Sequence, residues 1–284
     1  MPQISYFKRT RQYPPWIPYL FIVPFFIGFI FYNAAPMLYS FYISLTKWSG
    51  FDDPVFIGLG NYKVLIRDEL FYTALINTAK IIAVFIPLMI ILGLIISYLL
   101  YIGYIKRESL FQNIFFLPYI TIPVAVGAIF QSLLNWQYGS INRFLLILNL
   151  IQKPINWLNE PVYTHWIIGL MITWQSVGYS VVMITAGLRG ISRELFESAR
   201  VDGSDGLKAF FHIALPLLKP ILVFLIITTM IWGFQIFDET VILYSPKGGV
   251  SSGGPSYSAL TLVSYLYMSA FTDGHSGYGM PYLS

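Results

Sequence analysis

Cysteine is absent from the 284 residues, which excludes a disulfide framework, thiol catalysis and a cysteine metal site, and leaves the redox compartment open. Charge is scarce. Asp, Glu, Lys and Arg make up 11% of the chain, against roughly 25% in soluble domains, and no stretch is both long and polar enough to build a soluble domain beside the rest. Histidine is rare and scattered: His165, His212 and His275 lack HExxH or any other ligand spacing, so no metal site is read from them. Hydrophobic residues fill the space that is left. They reach 56%, with a mean hydropathy of +0.66, which places the chain in a bilayer as a single all-α integral-membrane domain over residues 1–284.

Crossing a hydrocarbon core takes about 20 mostly apolar residues, and five such runs stand out. They cover residues 16–45 (broken or bent near Pro36), 81–104, 111–134, 165–188 and 221–243. The basic start at Lys8, Arg9 and Arg11 imitates a signal peptide, but Pro14 and Pro15 head the run, it is long enough to span, and no small-residue cleavage site precedes Asn33. It reads as an uncleaved first helix. The net charge of +4 and pI near 9.0 do not indicate a nucleic-acid partner, because the cations collect in short loops flanking the spans. Lys8, Arg9 and Arg11, then Lys106 and Arg107, then Arg189, Arg193, Arg200, Lys208 and Lys219 mark alternate loops as cytoplasmic, with the N-terminus inside. The loops between them are richer in Trp, Tyr, Asn, Gly and Pro and face outward, with Trp48, Trp136 and Trp157 as interface anchors. Residues 257–271 are apolar but short for a span, and a glycine-rich tail follows.

Residues 191–220 are the one cytoplasmic segment long enough to carry structure. Ser192 can cap a helix with Glu194 in its first turn, and Leu195, Phe196 and Ala199 give it an apolar stripe. Asp202 and Gly203 supply a turn, after which Leu207, Phe210, Phe211 and Ala214 recur at i, i+3, i+4 and i+7 before Pro216 and Pro220. The expectation is helix, tight turn, helix, either lying on the membrane surface or seated in a partner. Within the spans, Trp174, Gln175, Tyr179, Trp232, Gln235 and Asp238 are candidates for lining a polar path, or for interhelical hydrogen bonds and aromatic packing.

Several enzymatic readings fail. Residues 248–254 are glycine-rich but lack the Lys and Ser or Thr of a P-loop, and Gly58-Leu59-Gly60 lacks the third glycine of a dinucleotide site. No Ser, His and Asp set assembles, and an intramembrane hydrolase would need paired acids or histidines that the spans do not offer. A secondary transporter would show an internal repeat, and the halves of this chain do not repeat.

The spacing Glu197-Ser198-Ala199, Gly203, Ile213, Leu215-Pro216 resembles the EAA motif of ATP-binding-cassette importer permeases, with six of seven positions agreeing and Ser198 in place of the first alanine. Further segments resemble the carbohydrate-uptake branch related to the maltose and glycerol-phosphate systems: Trp174 to Tyr179, Ala186-Gly187-Leu188, Phe237-Asp238, Gly253-Gly254-Pro255, Tyr265-Leu266-Tyr267, Gly58-Leu59 with Asn61-Tyr62, and Asn77-Thr78. The resemblance implies a type I importer permease, not an enzyme, in a bacterial or archaeal cytoplasmic membrane in contact with lipid. It implies that Glu197, Ser198, Ala199, Asp202, Gly203, Ile213, Leu215 and Pro216 dock an ATPase. The partners it implies are a second homologous permease, two ATPase subunits that bind the ATP and Mg, and an extracytoplasmic binding protein that delivers a mono- or oligosaccharide or a related polyol or glycerol phosphate. Family members continue past the counterpart of Tyr278-Gly279 into a sixth helix, whereas this sequence ends at Ser284, so the expectation is five spans in a truncated or five-span subunit.

Overall fold

The structure, a computed structural model, describes residues 14, 16–48, 52–102, 108–201, 203–204, 206–244 and 253–271. The basic residues of the N-terminus, Lys106 and Arg107, and the segment that includes Tyr278-Gly279 lie outside them. The chain divides into two units, residues 1–67 with 274–284, and residues 68–273.

In the first unit, helix α1 (Ile17–Phe29) passes through a π turn (Ile30–Ala34) into α2 (Ala35–Ser44). Proline has no N–H to give the preceding turn and its ring crowds the carbonyl four residues back. Here the residue before Pro36 bonds five back instead, Ala35 N–H to the Ile30 carbonyl, so the helix continues past Pro36 as one 28-residue span. A short hairpin of β1 (Thr46–Lys47) and β2 (Val55–Phe56) and helix α3 (Gly60–Leu65) follow. Buried Asn61 ties them together: its Nδ2 donates to the Ser44 and Thr46 carbonyls at 2.9 and 2.8 Å.

The second unit is organised by α4 (Glu69–Tyr101) and α8 (Pro161–Arg189). Asp68 caps α4, its Oδ1 accepting from Leu70 N at 2.8 Å, and Pro161 opens α8 where a missing N–H costs nothing. The two helices run parallel, since Asn77 meets His165, Thr173 approaches the Phe85 carbonyl, and Ser97 meets Val181. Small residues bring them close: a Cβ on Gly93 would strike Ser180, and one on Gly169 would come within 2.5 Å of Val84. Ser180 and Ser97 then donate to the Met89 and Val181 carbonyls at 3.2 and 3.1 Å. Ile81, Phe85, Met89, Ile168 and Met171 form the buried core of the pair.

Because α4 and α8 point the same way, the chain between them must return to the starting end. It does so through α5 (Glu108–Phe116), a 3₁₀ turn (Pro118–Ile120) and α6 (Pro123–Leu134), with a 94° bend at the two prolines, so the run at 111–134 is a broken crossing. Helix α7 (Ser140–Ile147) then leads to α8. After α8 come α9 (Arg193–Val201), α10 (Gly206–Ala209), a π turn (Phe210–Ala214) and α11 (Leu215–Leu217), bent by 63° into α12 (Lys219–Gly233). Three helices are long and apolar enough to span, or five with each bent pair counted as one.

The run at 221–243 is not one helix, which corrects the sequence reading. Helix α12 stops at Gly233, and α13 (Asp238–Tyr244) starts anew. The Ile236 carbonyl in the gap is taken by Thr261 Oγ1 at 2.7 Å rather than by a helical N–H. Helix α14 (Leu262–Phe271) closes the unit, held through Tyr265 OH donating to Asp68 Oδ2 at 2.5 Å. Asn77 and Thr78 fasten the preceding loop: Asn77 Nδ2 donates to the Tyr257 and Leu260 carbonyls at 2.8 and 3.1 Å, and Thr78 Oγ1 accepts from Leu262 N.

Candidate functional site: a docking hairpin and an aromatic cage

The hairpin between α8 and α12 is built by local chemistry. Ser192 Oγ accepts from Glu194 N at 3.3 Å at the start of α9. At its other end Ser204 N donates to the Ala199 carbonyl (2.8 Å) and Gly203 N to the Arg200 carbonyl (3.1 Å), the paired bonds of a Schellman cap. Gly203 sits at φ +74° with open space around it, so glycine is required there for backbone conformation and not for room.

Ala199 is buried, while Glu197 and Ser198 are exposed. Ile213 and Leu215 are half-buried and Pro216 is exposed. Asp202 lies outside the described residues. A second π turn precedes Pro216, with Leu215 N–H bonding the Phe210 carbonyl five residues back, as at Pro36. This turn changes the helix phase, and the stripe expected from the sequence is only half correct: Phe210 and Ala214 are buried, but Leu207 and Phe211 are 60% and 57% exposed.

Sequence reasoning missed what holds the hairpin to the spans. Tyr98 packs at a tilt against Phe210 (4.7 Å between ring centres) and Tyr101 against Phe196 (5.6 Å), both from the last turn of α4. The available signal was a pair of tyrosines at i, i+3 closing an apolar run. A groove of about 460 Å³ runs along this contact, between Tyr98, Tyr101, Phe196, Glu197 and Arg200.

Inside the unit, Tyr179 of α8 and Trp232 of α12 come together as the sequence suggested, 5.8 Å between ring centres. A third ring completes them. Tyr119, in the 3₁₀ turn at the break of the α5–α6 crossing, stacks on Tyr179 at 5.3 Å with 14° between planes and lies 6.3 Å from Trp232. The sequence reading passed over Tyr119 because it treated 111–134 as an uninterrupted helix, although Pro118 and Pro123 bracket it.

Gln175 supports the same break, its Nε2 directed at the Thr121 carbonyl at 3.4 Å. Trp174 faces elsewhere, against Phe130 at 5.9 Å. Gln235 and Asp238 are exposed in and just after the gap that follows α12, and among the described residues no hydrogen bond or ring contact joins them to the cage. Three aromatic faces from three crossings can pack on the C–H surface of a sugar while leaving its hydroxyls to polar groups or water. No cluster of His, Asp and Glu able to hold a metal occurs among the described residues.

Comparison with known proteins identifies the family and the fold. The family described as binding-protein-dependent transport system inner membrane component matches residues 103–267. The probable ABC transporter permease protein YurN of Bacillus subtilis (strain 168) is 32% identical over 264 residues, covering 92% of this chain and 88% of the relative. The lactose transport system permease protein LacF of Rhizobium radiobacter is 34% identical over 267 residues, covering 94% and 86%. Among solved structures, a bacterial ABC transporter involved in the import of the acidic polysaccharide alginate superposes with a TM-score of 0.76 at 21% identity, over 93% of this chain and 87% of that one, which shows the same fold.

Proposed function

The chain belongs to the family of binding-protein-dependent transport system inner membrane components, and from that premise we propose that it forms one half of the sugar path of an ATP-driven importer, moved by an ATPase seated on the α9–α11 hairpin. The observation that carries this is mechanical. The hairpin is the direct link between α8 and α12, and those helices carry two walls of the cage, Tyr179 and Trp232. A rigid-body push on a capped hairpin is therefore delivered to both walls at once.

Exposed Glu197 and Ser198, with the Gly203 turn, form the face for the ATPase groove, and Asp202, Ile213, Leu215 and Pro216 belong to the same docking segment. The ATPase supplies the ATP and Mg site, a second permease closes the path opposite this one, and an extracytoplasmic binding protein loads it. The N-terminus and the hairpin lie on the cytoplasmic side, in keeping with the cations at Arg189, Arg193, Arg200, Lys208 and Lys219. Relatives named for lactose, arabinooligosaccharides and trehalose/maltose support a neutral oligosaccharide as cargo. ATP and the loaded binding protein must both favour the outward-facing state for the cycle to be driven.

The test is purification from the native membrane, followed by reconstitution with the binding protein. The wild-type chain is expected to bring a second permease and an ATPase with it and to hydrolyse ATP faster when sugar and binding protein are present. Glu197→Leu is expected to lose the ATPase and uptake while keeping the second permease. Uptake that persists with no ATPase in the preparation, or a Glu197→Leu importer as active as wild type, sinks the reading.

A further inference from the structure

At the end of α8 opposite the hairpin lies a cavity of about 820 Å³ that the cage does not use. One wall is a single face of α6, Ala128, Gln131 and Ser132 at i, i+3 and i+4, continued by Asn135 just past the end of the helix. A second wall is the segment leading into α8, with Asn156 and Asn159, and a third is the end of α13 with the loop after it, Leu243, Tyr244, Gly254 and Pro255. Asn156 and Asn159 stand just before Pro161, the start of the 29-residue α8, so that wall is about 40 Å from Arg189, where the hairpin begins, and about 27 Å from Tyr179 at 1.5 Å per residue. The α6 wall lies nearer the cage, since Phe130 beside Gln131 packs on Trp174, five residues from Tyr179.

Among the described residues the cavity lining carries no charge. It offers amides and hydroxyls whose capacity is only partly used. Gln131 spends its Nε2 on the Ile242 and Leu243 carbonyls, leaving Oε1 as an acceptor. Asn135 spends Oδ1 on the Gln137 and Tyr138 amides, leaving Nδ2 as a donor. Ser132, Tyr138, Asn156 and Asn159 make no side-chain hydrogen bond among the described residues.

Free donors and free acceptors side by side are what a polyol needs, since each hydroxyl gives one hydrogen bond and takes others. The walls are also fixed in advance. Buried Asn142 accepts from Ile155 N (3.1 Å) and Trp157 Nε1 (2.9 Å) and donates to the Ile155 carbonyl (2.9 Å), which locks both neighbours of Asn156.

We propose that this cavity is a second, outer sugar site, which takes a neutral oligosaccharide before it reaches the aromatic cage. The volume lies within the usual range for small-molecule pockets, about 300–1,000 Å³. The proposal rests on the orientation given under Proposed function, with the hairpin inside and the cavity therefore outside.

The absence of cysteine supplies the test. The complete importer carrying Ser132→Cys is treated with a membrane-impermeant maleimide from the outer side. Lactose, maltotriose and arabinotriose are added singly at millimolar concentration, without binding protein. Modification from outside, slowed at least fivefold by one of the three sugars, is the expected result, and Tyr138→Cys serves if the first variant does not assemble.

In uptake assays Asn156→Ala and Asn159→Ala are expected to raise KM about tenfold for the protecting sugar. Protection by none of the sugars overturns the proposal. So does protection by sugar-free binding protein alone, which makes the cavity a protein-docking surface. Failure of the importer reading is seen separately, as a preparation without an ATPase, and modification only from the inner side overturns the orientation on which the site depends.

Discussion

The parallel pair α4 and α8 and the two bent crossings that flank it solve the same problem, a backbone with no water to bond, in opposite ways. In the pair, every turn is helical and the contact is sealed by Gly93, Gly169, Ser97 and Ser180, so little can shift without a steric clash or a lost hydrogen bond. In the bent crossings the helix is interrupted at Pro118 and Pro123 and again near Pro216. The freed carbonyls are picked up by side chains such as Gln175 or by a π turn. The residues with chemistry to offer gather at the interruptions: Tyr119 at the first, the docking hairpin at the second. The pair holds together as one body, Tyr179 included, and the breaks are where Tyr119 and the α9–α11 hairpin are mounted on it.

The sharpest way to break that contrast is at the joint between them. Gly178 of α8 faces the backbone of Phe115 so closely that a Cβ would collide with its carbonyl. Gly178→Val is therefore expected to cost at least the upper part of the about 1–3 kcal/mol range for overpacking, because backbone cannot rotate away. Yield and melting temperature of the purified importer should both fall.

Tyr119→Ala tests the other half of the comparison. Here the melting temperature should stay within a few degrees, since the ring is only half-buried. Uptake should drop roughly tenfold, the equivalent of about 1.4 kcal/mol, in line with an aromatic contact worth about 0.5–1.5 kcal/mol beyond its area. A variant that unfolds instead would place Tyr119 with the pair. The smallest change is Ser198→Ala, which restores the residue usual in the motif on an exposed face. It should alter stability by no more than about 0.5 kcal/mol and leave ATPase co-purification unchanged.

Much of this was legible from residue order alone. The uncharged runs gave the continuous spans, and the Ser192, Gly203 and Pro216 signals gave the hairpin, because capping and turn chemistry act within a few residues. Where the sequence misled, the cause lay at a distance. Residues 234–237 are apolar apart from Gln235 and carry no break signal, and the Ile236 carbonyl in this gap is taken by Thr261, some 25 positions on. Asn77 reaches 180 positions along the chain to Tyr257. No local pattern encodes such partners. The cage followed the same rule: Tyr179 and Trp232 were found by being polar-tipped aromatics within runs, whereas Tyr119 needed the break to be recognised first.

The π turn at Phe210–Ala214 has one further effect. A π turn holds about one residue more than an α turn, and one residue of an α-helix corresponds to a rotation of about 100°. Deleting a single residue there would let the helix tighten, swinging α9 and Glu197 around the axis of the α10–α11 helix while leaving every contacting side chain chemically intact. The direction in which the hairpin presents itself is thus set by a count of residues, and under the proposed function an insertion or deletion in this turn is expected to uncouple uptake from ATP hydrolysis more completely than most substitutions.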